Sequence, residues 1–194
     1  MESKNTFFAM MARMKFINRW ALMRNSYEEN ISEHSMEVAM LAHALAIIGK
    51  KRLGKRYQPE HIAMLGLYHD CTEILTGDMP TPIKYKNSKI QSAYKEIERG
   101  ASRRLLKMLP SDLRKEYQPF MPGAETDEEE ERLVKAADKL SALIKCIEEE
   151  KAGNQEFKKA KEATQQAVHE LKCEEAEIFC REFLPQYYRT LDEL

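Results

Sequence analysis

The sequence predicts an all-α protein, a single-domain helical bundle. Apolar residues recur at spacings of three and four through long segments, which is the period of one helix face. Strand-type alternation is scarce, and no hairpin signal joins two apolar runs. The seven glycines and seven prolines cluster at the ends of the periodic segments, where they punctuate helices. A length of 194 residues suits one domain, residues 1–194, with a sizeable core, although two small domains would also fit.

A first helix is expected over residues 6–17, with Phe8, Met11 and Met14 on one side. The segment NRWALMRN follows. Ser32 suits the N-cap of a second helix running to Ile48, whose Val38, Leu41, Leu45 and Ile48 form one face. Gly49 and the basic run KKRLGKR end it. Pro59 opens a third helix in its first turn, where a missing N–H does no harm. That helix carries Ile62, Leu65 and Tyr68-His69-Asp70, and Thr76-Gly77 stops it. MPTPIKY then reads as a proline-constrained loop. Helices follow near residues 88–108 and 112–117. Thr126 and Glu129 form a T-x-x-E capping box ahead of LVKAADKLSALIKCIEEE, and the acidic run from Glu128 to Glu131 suits the positive end of that helix. Gly153-Asn154 ends it. A last, highly charged helix is expected over residues 156–183.

The balance of 31 Lys+Arg against 32 Asp+Glu argues against a chain built to coat nucleic acid. No apolar run approaches the roughly 18 residues that span a membrane. The N-terminus has neither the apolar stretch nor the small-residue cleavage site of a signal peptide. The closing LDEL is only faintly similar to a retention tail and is read as chance. Cys71, Cys146, Cys173 and Cys180 form no C-x-x-C pair and fall in helix-like segments. Reduced, buried thiols of a cytoplasmic protein are the expectation.

Four residues break this pattern. In YHDCTEILTGDMPTP, His69 and Asp70 sit among apolar residues, and Glu73 lies four and three positions on, so that one helix face would present all three. His34 lies four before Val38 and carries the buried stripe of its helix into the first turn. Asp138 stands among Leu133, Val134, Ala137 and Leu140. Buried charge is costly unless paired or bound to a metal. Two imidazoles and two carboxylates, His34, His69, Asp70 and Asp138, suit one divalent first-row cation such as Mn, Co, Fe or Zn, with hydrated Mg a poorer match. A water bound to such a cation has a lowered pKa and becomes a usable nucleophile. His43 and His61 read as core or simply exposed histidines, and His169 as a surface residue.

The ordered H…HD…D set resembles the HD-domain superfamily of metal-dependent phosphohydrolases. FINRWALMRN, ENISEHSMEVA, YHDCTEILTGDMPTPIKY and LVKAADKLSALIKCIEE are similar, over essentially the whole chain, to bacterial 5'-deoxynucleotidases of the YfbR type. The resemblance implies an HD-domain helical bundle with the metal site between helices. It implies a deoxyribonucleoside 5'-monophosphate as substrate, one divalent metal cation (Co, Mn, Zn or another) and a homodimer. His34, His69, Asp70 and Asp138 would bind the metal, with Asp70 and Asp138 also touching substrate. Glu73 would orient or activate the attacking water. Arg19 would hold the phosphate, and Trp20 would pack against the sugar, leaving little room for a ribose 2'-hydroxyl. Asp78, Met79, Pro80 and Thr81 would line the sugar and phosphate pocket.

Three other readings compete. An HD phosphohydrolase could act on a cyclic dinucleotide, an alarmone or a deoxynucleoside triphosphate, and Lys84 and Lys86 supply extra cations for that. A helical metal-binding protein without turnover would make Glu73 superfluous. KKRLGKR could touch nucleic acid, but a solvated loop after a helix explains it more simply. The last helix is a candidate dimer interface because nothing in the sequence assigns it another neighbour.

Overall fold

The computed structural model describes residues 5–84 and 86–194, without the side chains of residues 81 and 82. The helices form where the periodicity places them, but several ends differ. Helix α1 spans Phe7–Met11 and tightens into a 3-10 turn over Ala12–Phe16, so residues 6–17 are not one helix. Phe7 and Met14, two turns apart, are the buried pair, and Phe8 is exposed.

Helix α2 spans Ile31–Arg52. Its cap is Asn30, not Ser32: the Asn30 Oδ1 accepts from the N–H groups of Ser32 and Glu33 at 3.0 and 3.1 Å. The Glu33 carboxylate answers by accepting from the Asn30 N–H at 3.3 Å, a reciprocal box. Gly49 does not stop α2. A Cβ there would meet the Tyr57 ring at 2.5 Å, so glycine serves a close approach inside the helix. The stop comes later, where the N–H groups of Leu53 and Lys55 both return to the Gly49 carbonyl and Gly54 takes a φ of +69°.

Helix α3 spans Pro59–Tyr68 and ends before the His69-Asp70 pair. Residues 69–72 form a turn closed by bonds from Cys71 to Tyr68 and from Glu73 to Asp70, each three residues long. Helix α4 then spans Glu73–Thr76, and Gly77 ends it at a φ of +73°. The proline-rich segment forms a single turn, α5, over Thr81–Lys84 rather than a loop. Helix α6 spans Ser88–Lys107, capped by the Asn87 side chain, and α7 spans Ser111–Tyr117.

Helix α8 spans Glu128–Lys151. Asp127 caps it by accepting from the Glu129 N–H at 2.8 Å, while the Thr126 hydroxyl turns back to the Ala124 carbonyl. The expected last helix is divided into α9, Lys158–Glu170, and α10, Glu174–Glu182. The break falls where Lys172 takes a φ of +48° and Cys173 is extended, conformations no α-helix continues through.

The chain divides into two compact units. The first holds the described residues up to Leu22, Glu28–Ser35 and Tyr68–Thr126. Its core gathers Phe7, Met14, Ile31, Cys71, Leu105 and Met121. The second holds Met23–Tyr27, Met36–Leu67 and Asp127–Leu194. Its core joins the predicted stripe of α2 to Leu133, Leu140 and Ile144 of α8. Each such side chain contributes about 1.5–3 kcal/mol by leaving water. Val168, Ala176 and Phe179 of α9 and α10 belong to this same core, so the last helices have a neighbour and the reason for reading them as an interface falls away. Gly66 lets α3 lie against α2, since a Cβ there would come 3.2 Å from the Ala39 backbone. Among the described residues no strand forms, and the extended pairing is one isolated antiparallel bridge between Asn18 and Asn30. No helix among them is long and apolar enough to cross a membrane.

Candidate functional site

The site is assembled in the first unit from two of its segments, Glu28–Ser35 and the start of Tyr68–Thr126. Asn30 fixes the start of α2, and the His34 N–H bonds the Asn30 carbonyl at 3.1 Å. That places His34 one turn into the helix, fully buried, as the stripe predicts. His69 and Asp70 come from the turn after α3. The Asp70 Oδ2 lies 3.0 Å from the His69 Nε2 and 3.6 Å from the His34 Nε2. The two imidazoles meet edge to face, with ring centres 5.1 Å apart. One donor atom from each of His34, His69 and Asp70 lies within 4.8 Å of the others.

Glu73 is nearly buried. It is not one α-helical turn beyond His69, because the helix is interrupted. The three-residue bonds of the turn instead stack positions three apart, which sets Glu73 over Asp70. Burial, followed by the charges of Asp70 and Asp78, pushes the Glu73 carboxyl up to about 10, while Lys84 and Arg19 pull weakly the other way. One buried and two half-buried carboxyls close enough to feel one another favour a positive partner. Two imidazole nitrogens and a carboxylate oxygen at this spacing are also the donor set of a first-row divalent cation. The residues therefore fit a bound metal.

Arg19 and Trp20 are held by a residue that sequence reasoning left without a role. The Glu29 Oε2 accepts from the Arg19 Nη1 at 2.6 Å and from the Trp20 Nε1 at 3.0 Å. Backbone bonds from Arg19 to Glu29 and from Ile31 to Ile17 lock the two segments side by side. The Arg19 guanidinium lies 5.6 Å from the Trp20 ring centre. Trp20 has a φ of +58°, a region that costs a non-glycine residue about 1–2 kcal/mol. No spacing rule could pair Glu29 with Arg19 across an unread turn. Lys84, visible in the sequence only as a nearby cation, is tied to Glu98 at 3.2 Å and lies near enough to Asp70 to feel its charge.

Asp78, Met79 and Pro80 are half-buried between α4 and α5. Thr81 begins α5, but its side chain lies outside the described residues. Asp138 belongs to the second unit. It stands on α8 beside buried Leu133, Ala137 and Leu140, and its Oδ2 accepts from the Lys139 Nζ at 2.9 Å. His169 is exposed, as expected, whereas His43 and His61 are half-buried, neither core nor fully exposed, and His61 lies 3.6 Å from Glu130. In the basic run, Arg52 pairs with Glu182 and Lys55 with Glu129. The cysteines are free, and burial pushes the Cys173 thiol up to about 12.

The family model described as 5'-deoxynucleotidase YfbR-like matches residues 6–187. The chain belongs to the YfbR-like family. A 5'-deoxynucleotidase of Vibrio cholerae is 50% identical over 188 residues, covering 97% of each chain. The 5'-deoxynucleotidase YfbR of Salmonella arizonae is 47% identical, covering 97% of this chain and 94% of its own. The YfbR-like chain also shares its fold with HD-domain phosphohydrolases of low identity. One from Listeria innocua is 20% identical with a TM-score of 0.81, over 94% of this chain and 88% of that one. The HD phosphohydrolase DatZ of cyanophage S-2L, bound to dA and one catalytic zinc ion, is 18% identical with a TM-score of 0.63, over 96% of both chains.

Proposed function

We infer that this protein is a 5'-deoxynucleotidase, which hydrolyses a deoxyribonucleoside 5'-monophosphate to the deoxyribonucleoside and phosphate. The observation that carries the reading is the cluster of buried His34 with half-buried His69 and Asp70, and buried Glu73 next to it, in a chain of the YfbR-like family. His34, His69 and Asp70 hold a divalent cation, and the family resemblance adds Asp138 as a fourth ligand. When bound, the cation supplies positive charge for the phosphoryl oxygens and a water of lowered pKa. Zinc in the phage phosphohydrolase makes zinc one candidate beside cobalt and manganese.

Arg19 takes the phosphate, because its planar guanidinium matches phosphate oxygens and Glu29 has already fixed its position. Trp20 covers the sugar and disfavours a 2'-hydroxyl. Asp78 bonds the sugar hydroxyl, with Met79, Pro80 and Thr81 beside it. Glu73, ionised once positive charge sits among its neighbours, takes the proton of the attacking water. Phosphoryl transfer asks little covalent work of the protein, so positioning and charge neutralisation carry the rate. The family resemblance supports a cytoplasmic homodimer, and sedimentation of the purified chain tests the dimer.

Glu73→Ala tests the assignment. It is expected to lower kcat by about 10²–10⁴ while leaving bound metal, counted by elemental analysis, unchanged. Near-full turnover by a metal-loaded Glu73→Ala protein would remove Glu73 as the base.

A further inference from the structure

The first unit holds a concave feature whose lining shares no residue with the candidate site. A cavity of about 360 Å³ lies against α6. Arg99, Arg103 and Lys107, spaced by four along that helix, form one wall, and Arg114 of α7 adds a fourth cation. No acidic side chain is among the described residues that line it. Like charges at this spacing repel and weaken a helix. An anion held among them would offset that cost.

One of the cations is held in place by the backbone, and a second has its stem seated over a glycine. The Arg114 Nε donates to the Leu109 carbonyl at 2.9 Å and its Nη2 to the Lys107 carbonyl at 3.0 Å, which fixes the guanidinium at the end of α6. The Arg99 stem lies over Gly123, where a Cβ would come 2.7 Å from the Arg99 Cγ. Gly123, at a φ of +85°, has no Cβ and so leaves room for the Arg99 stem. Leu106 and the buried Met121 give the cavity an apolar side. Its volume falls within the range of about 300–1,000 Å³ typical of small-molecule sites. Fixed guanidinium groups are the usual partners of phosphate oxygens.

We propose that this cavity binds a small organic anion of the nucleoside diphosphate class, with its phosphates on the Arg99–Arg103–Lys107–Arg114 wall and its ring on the apolar side. The site is separate from the catalytic one and does not depend on the reaction assigned above.

Calorimetric titration of the metal-loaded protein with ADP tests it. Arg103→Glu with Lys107→Glu, both exposed positions, is expected to weaken ADP binding by at least about tenfold while turnover of the deoxynucleotide substrate stays unchanged. His69→Asn is expected to leave a binding event of the same affinity. Unaltered ADP affinity in the double variant overturns the proposal, as does loss of all ADP binding in His69→Asn. Tighter binding of a single-stranded oligonucleotide than of ADP would also overturn it, and would make the wall a nucleic-acid surface.

Discussion

One oxygen of Glu29 organises two residues of opposite character, the Arg19 cation proposed to take the phosphate and the Trp20 indole proposed to cover the sugar. Glu29→Gln keeps the shape and an acceptor for the Trp20 N–H but removes the charge that holds Arg19. It is expected to raise KM for the deoxynucleotide by about tenfold or more, the size of one charged hydrogen bond, with kcat reduced less. An unchanged KM would show that Arg19 finds its position without Glu29. Trp20→Ala is expected to narrow the ratio of kcat/KM between deoxy- and ribonucleotide, and an unchanged ratio would take Trp20 out of sugar selection. Legibility at this scale followed chemistry. His34, His69 and Asp70 stood out because ionisable groups on apolar stripes need a reason. Glu29 did not, because a carboxylate ahead of a helix is ordinary and its partners lie across a turn that no periodicity describes.

Helix α8 carries a buried charge pair whose work is structural. Lys145 and Glu149, one turn apart, are both inaccessible and bonded to each other. Burial alone would raise the Glu149 carboxyl, but bonds from Lys145, Asn154 and Ser26 outweigh it and hold it down at about 2. The same network anchors residues 23–27 of the second unit: the Ser26 N–H donates to Glu149 at 2.8 Å and the Lys145 Nζ to the Tyr27 carbonyl at 2.8 Å. A folded value below the unfolded one contributes stability that is present above pH 4.5 and lost as pH falls toward 2. Glu149→Gln is therefore expected to be less stable at neutral pH and flatter between pH 4.5 and 2 in urea unfolding. An unchanged acid slope would contradict the pairing. Most elements were legible from the period of three and four, and their ends were not. Asn30 and Asp127 capped where Ser32 and Thr126 were expected, because adjacent small polar residues compete for one set of N–H groups. The divided last helix depended on the backbone of Lys172 and Cys173, which carry no helix-breaking signature.

For the whole molecule, the all-α class and the family were readable: the structure is helical, and the family model and relatives match nearly the whole chain. The division into two units was not, since α2 runs unbroken from Ile31 to Arg52 while its first turn joins one unit and the rest joins the other. A helix whose stripe serves two cores looks like one stripe in sequence. That arrangement sets His34 in the first turn of a long helix, a rigid support for the metal-binding role proposed for it. The central claim, a metal-dependent enzyme selective for the deoxy sugar, is tested most directly by phosphate release from deoxy-AMP and AMP. The protein is stripped with a chelator, and Mn, Co, Zn and Mg are then returned one at a time. The account predicts that chelation abolishes activity and that at least one of the first three metals restores it on deoxy-AMP in clear preference to AMP. Full hydrolysis of deoxy-AMP by the stripped protein, or none with any metal returned, would contradict it.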